Sequence, residues 1–137
     1  MTFLNQLYGQ KRTVLSAMAD TKNNISTLED KITRLRIASS QMEATNSNLN
    51  NLNSSIQGII VDNSKWNGKE ENNCNEAYSN YKESTKHFVT KSEEVKINMD
   101  EDIQRYELEK TNLTTGLNNL ETSLDNLEWQ ITQLEKE

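Results

Sequence analysis

Apolar residues in the first half of the chain recur in steps of three and four, from Leu4 and Leu7 through Val14, Met18, Ile25, Leu28, Ile32, Leu35, Met42, Leu49 and Ile56 to Ile60. Such steps put side chains on one stripe of a helix, and their sustained seven-residue phase predicts a coiled-coil-like seam. Two sets make up that seam. One is Leu4, Lys11, Met18, Ile25, Ile32, Ser39, Asn46, Asn53 and Ile60; the other, more apolar, is Leu7, Val14, Thr21, Leu28, Leu35, Met42, Leu49, Ile56 and Asn63. Ser39, Asn46 and Asn53 are polar at seam positions, where each either fixes register or partner choice at a cost in packing, or faces a large residue across the seam. Gly58 costs about 1 kcal/mol relative to alanine inside a helix, which suits close helix approach or early fraying there.

The pattern breaks at Asn63-Ser64-Lys65-Trp66-Asn67-Gly68-Lys69. Asparagine and glycine tolerate left-handed backbone angles, and serine and asparagine bond to their own backbone, so the cluster reads as the tip of a hairpin. Trp66 either plugs the end of the helix pair with its indole or merely fills the turn. Beyond it the stripe resumes at Cys74, Tyr78, Tyr81, Thr85, Phe88, Ser92, Val95 and Met99, then Ile103, Tyr106, Leu113, Leu117, Leu120, Leu124, Leu127, Ile131 and Leu134. Two successive steps of four, Val95 to Met99 to Ile103, predict a stutter that moves the seam around the helix. The expected fold is all-α: a single hairpin with helix 1 over about 3–62, a turn over 63–69 and helix 2 over about 70–135.

With the turn centred near Asn67, paired residues have numbers that sum to about 134. This matches Ile60 with Cys74, Ile56 with Tyr78, Asn53 with Tyr81, Asn46 with Phe88 and Leu7 with Leu127, so that large residues face small ones. The expected hairpin seam thus includes Leu28, Leu35, Leu49, Ile56, Tyr78, Tyr81, Phe88, Leu113, Leu120 and Leu127. Arms of about sixty residues at 1.5 Å per residue give a rod of roughly 90 to 100 Å. Beside the seam, Leu52, Ile59, Val89, Ile97 and Trp129 form apolar edges. They are the candidate partner surface, and the plainer reading of each is an isolated exposed apolar residue. A straightened helix in an antiparallel dimer satisfies many of the same contacts, although Gly68 and Trp66 favour the closed hairpin.

Composition sharpens this picture. Of 137 residues only 33% are apolar and none is proline. Narrow apolar stripes bury little against the entropy of ordering a lone chain, so an oligomer or complex is expected. The net charge of −6, with scattered basic residues, argues against a nucleic-acid partner. No apolar run reaches membrane-spanning length, and Met1-Thr2-Phe3-Leu4-Asn5-Gln6 lacks the regions of a cleavable signal peptide, so the mature chain is expected to begin near Met1. Cys74, the only cysteine, reads as a small apolar residue at helical spacing, with pairing between molecules as the alternative.

Catalytic chemistry is missing from the pattern. His87 is the only histidine and has no ligand partner at i+3 or i+4; glycine-rich phosphate loops, Cys-x-x-Cys pairs and serine-nucleophile contexts are absent. The carboxylates alternate with lysines on helix faces as solvated charge. A two-helix rod also offers no deep concavity, so no enzyme, no metal and no cofactor is expected.

Two long helices joined by Trp66-Asn67-Gly68 resemble the WXG-type helical hairpin proteins associated with type VII secretion in Gram-positive bacteria. Leu7-Tyr8-Gly9-Gln10-Lys11, the heptad first arm, Tyr78, Tyr81-Lys82-Glu83-Ser84 and the Leu-rich final arm resemble more closely the YwqH-like proteins encoded beside LXG toxins, nearly end to end. That resemblance implies binding and targeting. Such a protein pairs side by side with the N-terminal helical LXG region of a toxin, with a second small helical protein as a further candidate partner, and acts as chaperone or adaptor toward the secretion machinery. Trp66 and Gly68 correspond to the turn motif. An export signal that many WXG-type proteins carry after the second helix, an aromatic followed four residues later by an acid, is not met by the tyrosines of the second arm: Tyr78 precedes Lys82, Tyr81 precedes Thr85 and Tyr106 precedes Lys110. Either the partner supplies the signal, or the protein stays in the cytoplasm. Two other readings remain beside this one: a self-associating coiled-coil spacer or tether, forming a homodimer where no partner is present, and a pore-forming or membrane-surface helical protein, which the narrow stripe and acidic polar face disfavour.

Overall fold

The computed structural model describes residues 2–59 and 69–137, with the side chains of 69–71 left aside. The expected turn falls outside this range except for Lys69, so Trp66 and Gly68 are not described. Two helices, α1 (Thr2–Gln57) and α2 (Lys69–Glu135), pack against each other as a hairpin, and there is no strand among the described residues. α1 ends about five residues earlier than expected. Its last bonds run from Gly58 N to Ser54 O and from Ile59 N to Ile56 O, each 3.1 Å. The second bond is a three-residue closure that tightens the helix end where glycine has weakened it.

Threonine is a poor helix former, yet many lie inside both helices. Thr21, Thr33, Thr85 and Thr132 each donate to the carbonyl four residues earlier at 2.8–2.9 Å, which occupies the hydroxyl within the helix itself. Propensity is therefore not what selects these helices. Burial of one stripe is.

Lettering each heptad a to g, with Leu4 at a, the a and d positions of α1 are the two sets expected from sequence. Every one of them that is described, from Leu4 to Ile56, is buried or half-buried. In α2 the stripe differs from expectation over its first half. Cys74, Lys82, Thr85, Val89, Ser92, Lys96, Met99, Ile103, Tyr106, Lys110, Leu113, Leu117, Leu120, Leu124, Leu127, Ile131 and Leu134 are buried or half-buried, and from Lys82 on they step without a slip; Asp100, Asp102, Glu107 and Gly116 are half-buried beside that stripe. The stutter at Val95 is absent. Val95, Tyr78, Tyr81 and Phe88 are exposed, with Phe88 at 61% and Tyr81 at 57%, while Val89 is only 5% exposed. Tyr78, Tyr81 and Phe88 are therefore not seam residues, and Val89 is not an edge.

The cause is a competition between two neighbouring stripes. One carries Tyr81, Phe88 and Val95; the other carries Lys82, Val89 and Lys96 and continues the phase of the Leu-rich final arm. The lysine stripe wins because its polar ends are served. Lys82 Nζ donates to the Ile59 carbonyl at 2.8 Å, Lys96 Nζ to Asp100 at 2.7 Å, and each aliphatic stem covers the seam while its head reaches the rim.

The chain divides into two compact units, each containing part of both helices. In the first, α1 up to Arg34 pairs with Ile103–Glu137, and Leu7, Leu127 and Ile131 form its buried cluster with Leu4, Tyr8, Val14 and Leu134 against them. Lys11–Glu128 at 3.6 Å and Glu29–Lys110 at 3.5 Å join the helices, and Lys31 lies 5.6 Å from the centre of the Tyr106 ring. Tyr8 donates to Glu135, and that bond, which favours the protonated phenol, raises the Tyr8 pKa.

In the second unit, from Leu35 to Asp102, the seam is polar in the middle. Asn46 meets Ser92, and Ser39 donates to Asp100 at 2.5 Å. The register is thus displaced by about four residues from the one expected, since Asn46 lies opposite Ser92 and not Phe88. A polar seam residue finds a polar partner when the register lets it, because an unpaired buried amide costs about 1–3 kcal/mol.

Candidate partner-binding surface

The two flanks of the seam differ in chemistry. On the flank formed by the e positions of the second unit, Asn50 donates to Glu93 at 3.2 Å and Gln57 to the Lys82 carbonyl at 2.9 Å. Asp100, also at e, accepts from Lys96 and Ser39; these bonds, Lys96 first, hold its carboxyl below the ordinary 3.8. Asp100 in turn raises the Lys96 pKa. This flank is closed by paired polar groups.

The opposite flank, at the g positions, carries Leu52 from α1, Ile59 just past its end, and Tyr81, Phe88 and Val95 from α2. All five are exposed, Leu52 at 55%. The register that joins Asn46 to Ser92 puts Leu52 at the level of Phe88 and Ile59 at the level of Tyr81, so the five make one apolar strip along the groove between the helices. Tyr78 and Ala77 continue it on α2, where with Tyr81 they line a small open hollow.

On its α1 side the strip is bordered by groups without charge, and on α2 the ammonium groups near it are those of Lys91 and of Lys82, which donates to the Ile59 carbonyl. Between Ile37 and Ile59 the sole charged residue is Glu43, and its e position places it on the closed flank. Gln41, Ala44, Asn48, Asn51 and Ser55 border the strip on α1; on α2 the border is Ser84, Asn98 and Lys91, whose ammonium pairs with Glu94 at 3.3 Å. In a chain of which 26% is charged, this face is distinct. Depletion of charge around aromatic and aliphatic groups is what separates the centre of a protein interface from ordinary surface.

The five expected edge residues therefore part company. Leu52 and Ile59 lie in the strip, and Val89 is buried beneath it. Ile97 is exposed, but its neighbours one turn away are Glu93, Glu94, Asp100 and Glu101; Trp129, 65% exposed, sits among Asp125, Asn126, Thr132 and Gln133. Each of these two is an isolated apolar residue. Of the expected seam, Leu28, Ile56 and Leu127 are buried, and Leu35, Leu49, Leu113 and Leu120 half-buried. Tyr81, Phe88 and Val95 were missed as surface. Counting the heptad backward from Leu134 without allowing a slip would have found them.

Among the described residues no helix is long and apolar enough to cross a membrane, and no group of His, Cys, Asp and Glu is placed to hold a metal ion. Cys74 is half-buried and free.

The family model described as YwqH-like matches residues 9–129, nearly the whole hairpin, and the chain belongs to that family. No curated protein matches, and neither does any solved structure.

Proposed function

We propose that this member of the YwqH-like family is a non-enzymatic adaptor, or targeting chaperone, for the N-terminal helical LXG region of a toxin handled by a type VII secretion system. It binds that region side by side and delivers it to the machinery. The observation that carries this reading is the strip from Ile59 and Tyr81 to Val95, an apolar face, uncharged along α1, left open beside a seam that is already filled. The family resemblance supplies the class of partner. Assembly takes place in the cytoplasm before export, and because none of the tyrosines followed by Lys82, Thr85 or Lys110 carries an acid at the required place, the toxin contributes the export signal or the adaptor stays behind.

Co-expression with each protein encoded beside it, followed by affinity purification and native mass determination, tests the proposal. A defined hetero-complex with the helical region of an LXG protein is expected. If the chain elutes only with copies of itself, the adaptor reading fails and a self-associating coiled coil replaces it. Assay of the culture medium for the chain then separates co-export from retention.

A further inference from the structure

Resting on that reading, we infer that the g-flank strip of the second unit is the docking groove, and that its occupant is a single amphipathic helix of the partner whose contacting face is itself uncharged. The length is set by the strip. From Tyr81 to Val95 is fourteen residues of α2, about 20 Å at 1.5 Å per residue, or four turns of a docked helix. Exposed g residues at intervals of seven are the spacing a helix laid alongside two others engages, with its own apolar residues at i, i+3, i+4 and i+7.

Charge chooses the chemistry of that helix. A carboxylate or ammonium buried against Leu52 and Phe88 finds no opposite charge on the α1 side, where Gln41, Asn48, Asn51 and Ser55 offer only amides and hydroxyls, and on α2 the Lys91 ammonium is already paired with Glu94 and that of Lys82 with the Ile59 carbonyl, so the buried charge loses solvation with little return. A face of aliphatic residues bordered by Ser, Thr, Asn or Gln loses nothing of the kind. The ring-bearing end at Tyr81 and Phe88 asks for small or aliphatic residues opposite, and the Val95 end, beside the smaller Thr45, for larger ones.

Area argues against a second copy as occupant. Five partly exposed side chains, two of them aromatic, present on the order of 500 Å². Two strips face to face then bury on the order of 1,000 Å² in total, at the lower edge for a specific interface. Each copy would also bring a net charge of −6 to the other. A helix seated in the groove touches both α1 and α2 and reaches the uncharged α1 face as well, approaching the roughly 800 Å² per partner of a standard interface.

The test uses the full chain co-expressed with the LXG protein encoded beside it, with the photo-crosslinking residue p-benzoylphenylalanine placed at Leu52 or Phe88, and at Leu108 or Trp129 as controls. Circular dichroism checks that each variant stays helical. Crosslinks from Leu52 and Phe88 to one helix of the LXG protein, at uncharged residues, with at least fivefold less from the control positions, are expected. A complex that forms but crosslinks from the controls and not from the strip overturns the inference and leaves the adaptor reading standing. Crosslinks from the strip to another copy of this chain overturn it too, and absence of any complex overturns both. Affinity measured at 50 mM and 500 mM NaCl gives an independent readout: a change below threefold is expected for a charge-free contact, and a tenfold loss in salt overturns the assignment.

Discussion

Asn46 and Ser92 each donate to the other across the hairpin: Ser92 Oγ to Asn46 Oδ1 at 2.5 Å, and Asn46 Nδ2 to the Ser92 carbonyl at 3.4 Å, with both residues buried. The pair satisfies two side chains that would otherwise be stranded in the seam, and it favours this register over its neighbours. Sliding either helix by a heptad leaves Asn46 facing Met99, which has no hydroxyl, or Thr85, whose hydroxyl already donates to the Tyr81 carbonyl at 2.9 Å. Here a polar contact limits the alternatives to the native pairing more than it adds stability.

Replacing one member should expose that dependence. Asn46→Ala leaves the Ser92 hydroxyl buried without its acceptor and is expected to lower unfolding free energy by about 1–3 kcal/mol, as is Ser92→Ala for the amide. The double variant should cost less than the sum of the two. Urea denaturation of the four proteins gives the coupling, and additive effects would mean that the two side chains do not act as a pair.

A second contrast tests which stripe of α2 is the seam. Val89→Ala removes buried methyl groups and should destabilise by about 1–2.5 kcal/mol, whereas Phe88→Ala, on the exposed stripe, should stay within about 0.5 kcal/mol of the parent. Thermal melts of the two variants decide it. The reverse order would restore the aromatic seam expected from sequence.

Asp100 predicts a pH response. Its pKa is lowered by Lys96 and Ser39 below the ordinary 3.8, so the fold favours the carboxylate; Glu43 is the other charged group bearing on the site. That stabilisation is complete above about pH 4 and is lost as pH falls through the depressed value. Lys96, raised above 10.5, contributes below that value and loses its contribution as pH rises through the raised one. Between the two the pair gives a plateau. Asp100→Asn should flatten the acid side of the stability curve measured by urea titration from pH 2 to 6, and an unchanged acid slope would assign it to other carboxylates.

Gly116 supplies a gain. It lies inside α2 at a g position of the first unit, and a Cβ added there meets nothing within 4 Å. Gly116→Ala should therefore stabilise by about 0.5–1 kcal/mol, the helix-propensity difference without a packing penalty. A loss on calorimetry would show that the glycine is needed for something closer than the hairpin itself.

What the sequence by itself determined is the hairpin and the seam of α1, because an uninterrupted seven-residue phase admits one face of a helix and no other. The Leu-rich final arm was legible for the same reason. Leu52 and Ile59 stood beside that seam in the sequence and stand exposed beside it in the fold. Tertiary structure decided the rest. In the stretch from Tyr78 to Val95, two adjacent stripes are both amphipathic, and hydrophobicity favours the one with the rings. The partner helix favours the other, because Ser39 and Asn46 require Asp100 and Ser92 opposite them, and in that register the stems of Lys82 and Lys96 fill the seam while their heads escape to acceptors. Which stripe is buried depends on groups some forty to sixty residues away along the chain, and with the rings turned outward the open face of the protein is decided too.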